Sequence, residues 1–357
     1  MSIELKIDGQ IYNGWKSANV SRALNCMASS FDLVVSDRFI GSKQNIPLDA
    51  ECQILIDGVP AVTGWLDEIT PSYSATSHEV TFAGRSKTCD LVDCSAIIDT
   101  GQIIGGTPKE IIEKVIAPFG IKLVFSADQS LPLVSDFQVE PGETAQSIIE
   151  KVCKQTGLVY TDDANGNLVV QSIGSGFSSG RLIHRVGDGA GNNILSGRGK
   201  YSSRNIFRDY YVKSQMAGSD DSGGEDITGI EGHAVDSDVT RYRPLVLTGE
   251  NAMDAATAQT RAEWERSNRR AKGQPFEFTV QGWRNANGQL WAPNSYVSVK
   301  DDFIRVVGKL IISAVKLSTG SGTTTSLQLS PPDAFILSSA DQPIKTYQGW
   351  KELREGV

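Results

Sequence analysis

Short segments of alternating apolar residues, separated by turn residues, are the feature that most restricts the fold of this 357-residue chain. Residues 308–335 show the pattern: Ile311, Ser313, Val315 and Leu317 occupy alternate positions, and the alternation resumes after a Gly/Ser/Thr turn until two prolines stop it. Alternation with a period of two buries one side of a strand and exposes the other. The segment therefore predicts a β-hairpin with one buried face.

The first 85 residues carry the same pattern. Their alternating apolar positions are Ile3, Leu5, Ile7, Phe31, Leu33, Val35, Val80 and Phe82. Asp57-Gly58 separates two apolar runs and favours a tight hairpin turn, and Gly64 within the second run predicts a bulge or bend. Short strands at this spacing predict an antiparallel barrel or sandwich.

Helix signals begin near residue 105. Thr107-Pro108-Lys109-Glu110 combines a capping residue, a proline at the first helical position and a glutamate three residues after the cap. A second helix is predicted over residues 144–156, whose apolar positions share one face. These positions are Ala145, Ile148, Ile149, Val152 and Cys153. With a hairpin turning at Asn165-Gly166, the pattern predicts a small α+β insertion.

The middle of the chain changes character twice. Residues 174–199 are rich in glycine with no helix signal after them, which is typical of a loop rather than of a phosphate-binding turn. Residues 218–238 hold seven acidic residues and no lysine or arginine, which predicts a mobile acidic loop. The helix predicted over residues 252–270 has a basic second half, which is either a solvated face or a surface that contacts the acidic loop or a partner. Strands are predicted at 205–213 and again from Phe276 onward, and residues 336–357 form a tail.

Residues that could perform chemistry are few and scattered. The three histidines, His78, His184 and His233, form no metal-binding or catalytic motif. The acidic pairs Asp162-Asp163 and Asp301-Asp302 fall at predicted turns, where aspartate bonds its own backbone. We therefore predict no catalytic, cofactor-binding or metal-binding residue, no cofactor and no enzyme activity.

Composition limits the compartment and the partners. The five cysteines, an odd number at wide spacing, predict reduced and mostly buried thiols rather than a disulfide framework or zinc site. A net charge of −8 argues against tight sequence-independent binding of duplex DNA, but it is compatible with a channel through which DNA passes. No apolar run is long enough to span a bilayer, and the first residues do not form a signal peptide. Synthesis in the cytoplasm without stable membrane insertion is the expectation.

Two segments resemble one protein family. Gly84-Arg85-Ser86 with Asp90-Leu91-Val92-Asp93-Cys94-Ser95, and residues 280–329, are similar to the baseplate central hub proteins of contractile-tailed phages. The Mu-like tail hub is the most similar; the P2-like late control protein and the T-even baseplate hub are more distant. The resemblance runs from about residue 3 to residue 335, and its motifs mark strands and turns.

The resemblance implies a mainly β fold with α+β insertions, in which two similar antiparallel β-barrels per chain let a homotrimer form a pseudo-sixfold ring. The implied function is a structural hub in the tail baseplate of the virion that joins the tail tube to the central spike and provides a channel for DNA during ejection. The implied partners are two further copies, the spike protein, the tail tube and other baseplate proteins. DNA would pass only transiently, and assembly would take place in the host cytoplasm.

On this basis the chain divides into five parts. They are a first barrel from 1–95 with 174–200, an α+β insertion at 96–173, a second barrel from 200–218 with 273–333, an acidic loop and helix at 219–272, and a tail at 334–357. The segments VTGW and VQGW, one in each β region, are a weak sign of repetition.

Two other classes of function stay open. One is a host-surface or carbohydrate-binding β module of a phage or a secretion-like injection machine, although the six tryptophans are scattered. The other is a cell-wall hydrolase fused to a hub, for which the insertion at 105–172 is short and poor in histidine and paired acidic residues.

Overall fold

A computed structural model describes residues 2–36, 46–98, 101–127, 131, 133–134, 136–174, 176–187, 189, 191–214, 230–248 and 255–335. Most of the predicted acidic loop and the tail from residue 336 onward lie outside this part of the chain. The chain forms two β units and two insertions. The first insertion lies between the two β units, and the second lies within the second β unit.

The first β unit contains β1 (Ile3–Ile7), β2 (Gln10–Tyr12), β3 (Ser17–Ala23), β4 (Ser30–Ser36), β5 (Glu51–Ile56), β6 (Val59–Tyr73) and β7 (His78–Ser86). The helical insertion contains α1 (Cys89–Asp93), β8 (Gln102–Ile103), α2 (Pro108–Ile116), β9 (Leu123–Ser126), β10 (Phe137–Gln138), α3 (Ala145–Thr156), β11 (Val159–Asp162) and β12 (Leu168–Gln171). The second β unit begins with β13 (Ser178–His184) and β14 (Ile194–Gly199). The α/β insertion contains β15 (Asp209–Ser214), β16 (Ile230–Val235), β17 (Pro244–Thr248) and α4 (Ala255–Lys272). The second β unit ends with β18 (Phe276–Gln281), β19 (Tyr296–Asp301), β20 (Val306–Thr319) and β21 (Thr324–Ser330).

Local sequence signals form the predicted elements. Asp8-Gly9 and Asp57-Gly58 turn two hairpins with positive φ at both positions, from 48° to 79°, which is the backbone that Asp-Gly favours. Thr107 and Glu110 form the predicted capping box of α2. α3 begins after its cap and ends at a left-handed Gly157. The fold is mainly β with helical insertions, as predicted.

One ladder joins the two β units. β3 and β20 pair antiparallel, with Ala23 opposite Ala314 and Ala18 opposite Thr319. This pairing makes a continuous 13-stranded sheet, and the buried side chains of both units form a single core. We call the β3–β20 pairing the internal joint.

The prediction of two closed barrels is wrong. Among the described residues, the hydrogen-bonded path runs from β14 to β2 without closing. Closure of the first unit would require β1 to pair with β3. Each strand has only two edges, and β2 occupies the second edge of β1 while β20 occupies that of β3.

Both units nevertheless place their strands in the same order. Without β2, the first unit reads β1-β5-β6-β7-β4-β3 and the second reads β13-β19-β20-β21-β18-β14. Counted along the chain, both are first, fourth, fifth, sixth, third, second. The units differ at the outer strand, since β1 runs antiparallel to β5 and β13 runs parallel to β19. VTGW and VQGW are not equivalent, because the first lies inside β6 and the second crosses the end of β18.

A β-bulge shifts the alternation in β20. Ser313 is the extra residue, because Ile312 pairs with Leu329 and Ala314 with Gln328. An extra residue exchanges the two faces of a strand. The hairpin at 308–335 is confirmed, but its predicted phase does not continue through the bulge: before it, Leu310 and Ile312 belong to the main core, whereas the predicted Ile311 is buried in a separate cluster.

The glycine-rich and acidic segments contain strands that composition did not predict. β13 and β14, within 174–200, pair with β19 and β18 rather than with residues 1–95. β15, within 200–218, pairs with β16 and β17 in a separate three-stranded sheet, and α4 packs on that sheet. The expected grouping of 174–200 with 1–95, and of 200–218 with 273–333, therefore differs from the observed strand pairing. Main-chain hydrogen bonds at the strand edges set these partners, and local composition does not reveal them.

Gly64 tests how closely β6 and β7 pack. The predicted bulge is not at Gly64; a Cβ there would lie 1.9 Å from the carbonyl oxygen of Arg85. We expect Gly64→Ala to destabilise the protein by about 1–3 kcal/mol or more, as forced overpacking does. Gly322→Ala is the control, because no atom lies within 4 Å of its added Cβ. Urea unfolding of both variants is the measurement, and equal midpoints would contradict the close approach.

Candidate functional site

The histidines do not come together. His78 stacks on Tyr73 at the tip of the β6–β7 hairpin. His184 lies with Nδ1 3.4 Å from Oδ1 of Asp301. His233 was expected in an acidic loop, but it lies in β16 and stacks on Tyr211 with ring centroids 4.4 Å apart. Among the described residues, no group of three or more histidine, cysteine, aspartate or glutamate side chains could hold a metal ion.

The cysteines are also separate. All five are free thiols; Cys26 and Cys94 are exposed, and Cys52, Cys89 and Cys153 are buried. Burial raises the pKa of each of these three buried thiols to about 12. A thiol with so high a pKa carries little thiolate near neutral pH and is a poor nucleophile.

The two acidic pairs have different roles. Asp163 accepts hydrogen bonds from the backbone N–H groups of Asn165 and Asn167, and Asp301 accepts them from Phe303 and Ile304. These are the predicted turn contacts. Asp162 is different, because its buried carboxylate accepts hydrogen bonds from Ser29, in another part of the fold.

A buried polar network joins the helical insertion to the first β unit. Asp162 accepts bonds from the hydroxyl of Ser29 at 2.5 Å and from its backbone N–H at 3.1 Å. That N–H is also 3.2 Å from Oγ of Ser86. The hydroxyls of Ser86 and Thr88 are 2.8 Å apart, and Thr88 donates to the carbonyl of Met27 at 2.6 Å. Satisfied networks of this kind hold two segments in one arrangement.

Arg85 adds a charged contact at the same junction. Its guanidinium donates two hydrogen bonds to Asp93 in α1, at 3.1 and 2.7 Å, and one to Asp67 in β6, at 2.6 Å. These hydrogen bonds, that of Asp93 first, raise the pKa of Arg85, and the same contact lowers the pKa of Asp93. Bidentate pairing fixes orientation as well as charge. The segment that carried the family resemblance is thus a joint between two parts of the fold.

The basic end of α4 contacts the end of the acidic segment. Arg270 donates to Asp236 at 2.7 Å and pairs with Asp238. Arg261 and Arg269 both bond Glu265, which is buried. Of the two interpretations of this helix, the described residues therefore favour contact with the acidic segment.

These residues form joints rather than a reaction centre. Sequence reasoning missed the roles of Asp162 and Arg85, because a turn aspartate and a strand-end arginine are unremarkable in sequence. Burial of all four residues of β11 obliges Asp162 to find a partner inside the protein, and that burial is visible only in the structure. No helix in the described ranges is long and apolar enough to cross a membrane.

Three family models match successive parts of the chain. The model described as "Mu phage baseplate assembly protein GpP-like, N-terminal" matches residues 2–86. "Baseplate hub protein gp44-like, second domain" matches residues 88–172, and "Mu phage baseplate assembly protein GpP, fourth domain" matches residues 254–338. The boundary between the first two models falls at residue 87, between Ser86 and Thr88 of the buried polar network.

Whole-chain relatives agree with these models. The chain is 29% identical over 345 residues to baseplate hub protein gp44 of Escherichia phage Mu, covering 94% of this chain and 89% of that protein. It is 31% identical to the 43 kDa tail protein of prophage MuSo2 from Shewanella oneidensis, with a TM-score of 0.81, covering 95% of this chain and 100% of that one. A tail protein from Neisseria meningitidis MC58 has the same fold at 24% identity and a TM-score of 0.80, with 93% and 98% covered.

Asp162 tests whether the helical insertion is fixed to the first β unit. Asp162→Ala leaves the buried hydroxyl and N–H of Ser29 without this acceptor, and we expect a loss of about 1–3 kcal/mol. Hydrogen exchange should rise across residues 88–172. Asp302→Ala, which changes the exposed member of the other acidic pair, is the matched control. Unchanged exchange in Asp162→Ala would contradict a fixing role.

Proposed function

Because the chain belongs to the Mu-like family of phage baseplate hub proteins, we propose that it assembles as a homotrimeric ring at the centre of the tail baseplate. The ring would join the tail tube to the central spike and leave a channel through which DNA passes during ejection. The chain is thus assigned to the tail of the virion, and its assembly to the host cytoplasm.

The observation that supports this proposal best is the repeated strand order. Each chain carries two β units with the same arrangement of six strands. Three chains would then present six similar units, which is the number needed to meet a sixfold tube, while the whole chain repeats three times, as a threefold spike requires. Closed rotational symmetry is the usual arrangement of soluble oligomers.

The insertions give the two units different neighbours. The helical insertion follows the first β unit, and the α/β insertion interrupts the second between β14 and β18. We assign the contacts with the spike and with other baseplate proteins to these insertions, since they are the parts in which the two similar units differ. We propose that these two β units and two insertions are the functional domains of the chain.

A structural role without catalysis is part of the proposal. Its support is that the titratable candidates take part in turns and joints, as described above. The carbohydrate-binding alternative needs an exposed aromatic platform. Of the described tryptophans, Trp283 and Trp291 are buried, and Trp15, Trp65 and Trp264 are half-buried. These positions favour the hub.

Solution mass tests the ring. Light scattering on a sizing column should give the mass of three chains, either for the protein alone or after the spike protein is added. A concentration series is the control, because a closed ring has one limiting mass whereas open association keeps growing. A monomeric mass at every concentration, with and without the spike, would contradict the proposal.

A further inference from the structure

Two strand edges form the internal joint, and we call each of them a half-joint. An equivalent of each half-joint is found elsewhere in the chain, where no strand of the described residues pairs with it. One half is the outer edge of β3, and the other is the distal part of β20, residues 314–319. By strand order, β14 corresponds to β3 and β6 corresponds to β20. Within the described residues, neither the outer edge of β14 nor the same edge of β6 beyond Leu66 has a strand beside it.

β6 and β20 can be aligned residue by residue. Asp67 is the extra residue of a bulge in β6, as Ser313 is in β20. The carbonyl of Leu66 accepts a bond from the N–H of Asp49 at 3.0 Å, and that of Ile312 accepts one from Asn294 at 2.9 Å. Asp49 and Asn294 are both non-glycine residues with positive φ, 60° and 62°. Residues 68–73 of β6 therefore correspond to residues 314–319 of β20.

β3 and β14 can be aligned through the strand beside each. Val20 lies opposite Phe31, and Gly199 lies opposite Phe276. Phe31 and Phe276 are both buried at the start of equivalent strands. Residues 197–202 therefore correspond to residues 18–23.

Burial differs between the equivalent positions in the way that a missing partner would produce. In the internal joint Val20 and Leu317, which lie opposite each other, are 1% and 3% exposed. At the equivalent positions Gly199 is half-buried and Pro71 is exposed. The outward-facing half-joints thus leave apolar surface uncovered.

The geometry points to a second copy of this chain as the occupant: β14 of one copy pairs antiparallel with residues 68–73 of β6 in the next copy. The register follows from the internal joint and places Pro71 opposite Gly199 and Ser72 opposite Arg198. This interface deepens the proposed homotrimeric ring and rests on it. It is head-to-tail, since each copy offers β6 on one side and β14 on the other, and such contacts close into rings when the rotation allows.

Hydrogen-bond directions agree with this register. In the hairpin, Ser74 donates its N–H to the carbonyl of Ser77, and bonded pairs alternate along an antiparallel ladder. The backbone groups of Ile69, Pro71 and Tyr73 therefore face the free edge of β6. Pro71 is tolerated there because its missing N–H would point away from β7, and it offers only its carbonyl to a strand at the free edge.

The same count applies to β14. Lys200 and Ser202 donate their N–H groups to the carbonyls of Pro275 and Gly273, on the β18 side. Gly197, Gly199 and Tyr201 therefore face the free edge. These are the residues that the register places opposite Tyr73, Pro71 and Ile69. The match does not depend on the alignment, because a shift by one residue would put each outward-facing residue opposite one whose backbone groups face inward.

Side chains on the two edges are complementary. On one face of the new ladder, Ile69 would lie against Tyr201 and bury apolar surface. On the other, Arg198 and Lys200 would lie along Thr70, Ser72 and the carboxylate of Glu68. Opposite charges on neighbouring strands contribute modestly to pairing and to choice of register.

An engineered disulfide tests the interface. Ser72→Cys with Arg198→Cys, in a background of Cys26→Ser and Cys94→Ser, places two thiols at a non-hydrogen-bonded pair, where Cα atoms approach to about 4.5 Å. Mild oxidation should convert most chains into disulfide-linked species on a non-reducing gel, with a ladder that ends at three chains. Tyr73→Cys with Arg198→Cys is the control, since its thiols lie on opposite faces and should stay unlinked.

The internal joint supplies a positive control. Ser318 and Asn19 occupy the equivalent pair, and the hydroxyl of Ser318 lies 2.8 Å from Oδ1 of Asn19. Asn19→Cys with Ser318→Cys should close a bond within one chain, with loss of free thiol and no change in mass.

Solution mass separates this inference from the proposed ring. A trimeric mass with cross-linking in Ser72→Cys/Arg198→Cys supports both. A trimeric mass without it, while the internal control closes, overturns the β6–β14 interface and leaves the ring. A monomeric mass without cross-linking, with and without the spike, overturns both. Cross-linking that continues past three chains retains the interface and overturns the closed trimer.

Discussion

The ladder between β3 and β20 is the interaction on which the rest of the structure depends. It joins strands that are about three hundred residues apart in sequence, and it makes one core from two units. Without it, β3 and the distal part of β20 would each expose an unpaired edge, a state that favours uncontrolled association. The ladder also prevents the first unit from closing on itself, because it occupies the edge of β3 that barrel closure would need. An open arrangement with one joint made and one joint vacant is the result.

Polar contacts help to hold the helical insertion on this frame. The insertion has its own core around α2 and α3, which also takes in Met27 from the first β unit. Apolar burial has no directional preference, so orientation also depends on directional contacts at the boundary, where Asp162 bonds Ser29 and Arg85 pairs with Asp93. Removing one partner of the buried Asp162–Ser29 contact costs more than the bond itself contributes, since the other is left buried and unpaired. This asymmetry makes a small polar network an effective positioning device.

Local chemistry made much of the fold predictable. The Asp-Gly turns, the capping box at Thr107 and the apolar face of α3 depend on residues within a few positions of one another, and all were visible in sequence. The phase of β20 was not, because a bulge at Ser313 is recognised only from its pairing partner. The strands at 178–199 were missed because main-chain hydrogen bonds to β18 and β19 stabilise them despite their glycine content. The joints were missed for the same reason: Asp162 and Ser29 are 133 positions apart.

The proposed joint between copies would use edges equivalent to those of the internal joint, but we expect it to be weaker for a physical reason. The internal joint is intramolecular, so its strands are held at a high effective concentration by the chain itself. The joint between copies would lose the translational and rotational freedom of a whole subunit, and Pro71 supplies no N–H to it. Gly197 and Gly199 stand where the internal joint has Ala18 and Val20, so less apolar surface is available for burial. The ring should therefore come apart between copies before it comes apart within them, and proteins that bind across two copies would be well placed to stabilise it.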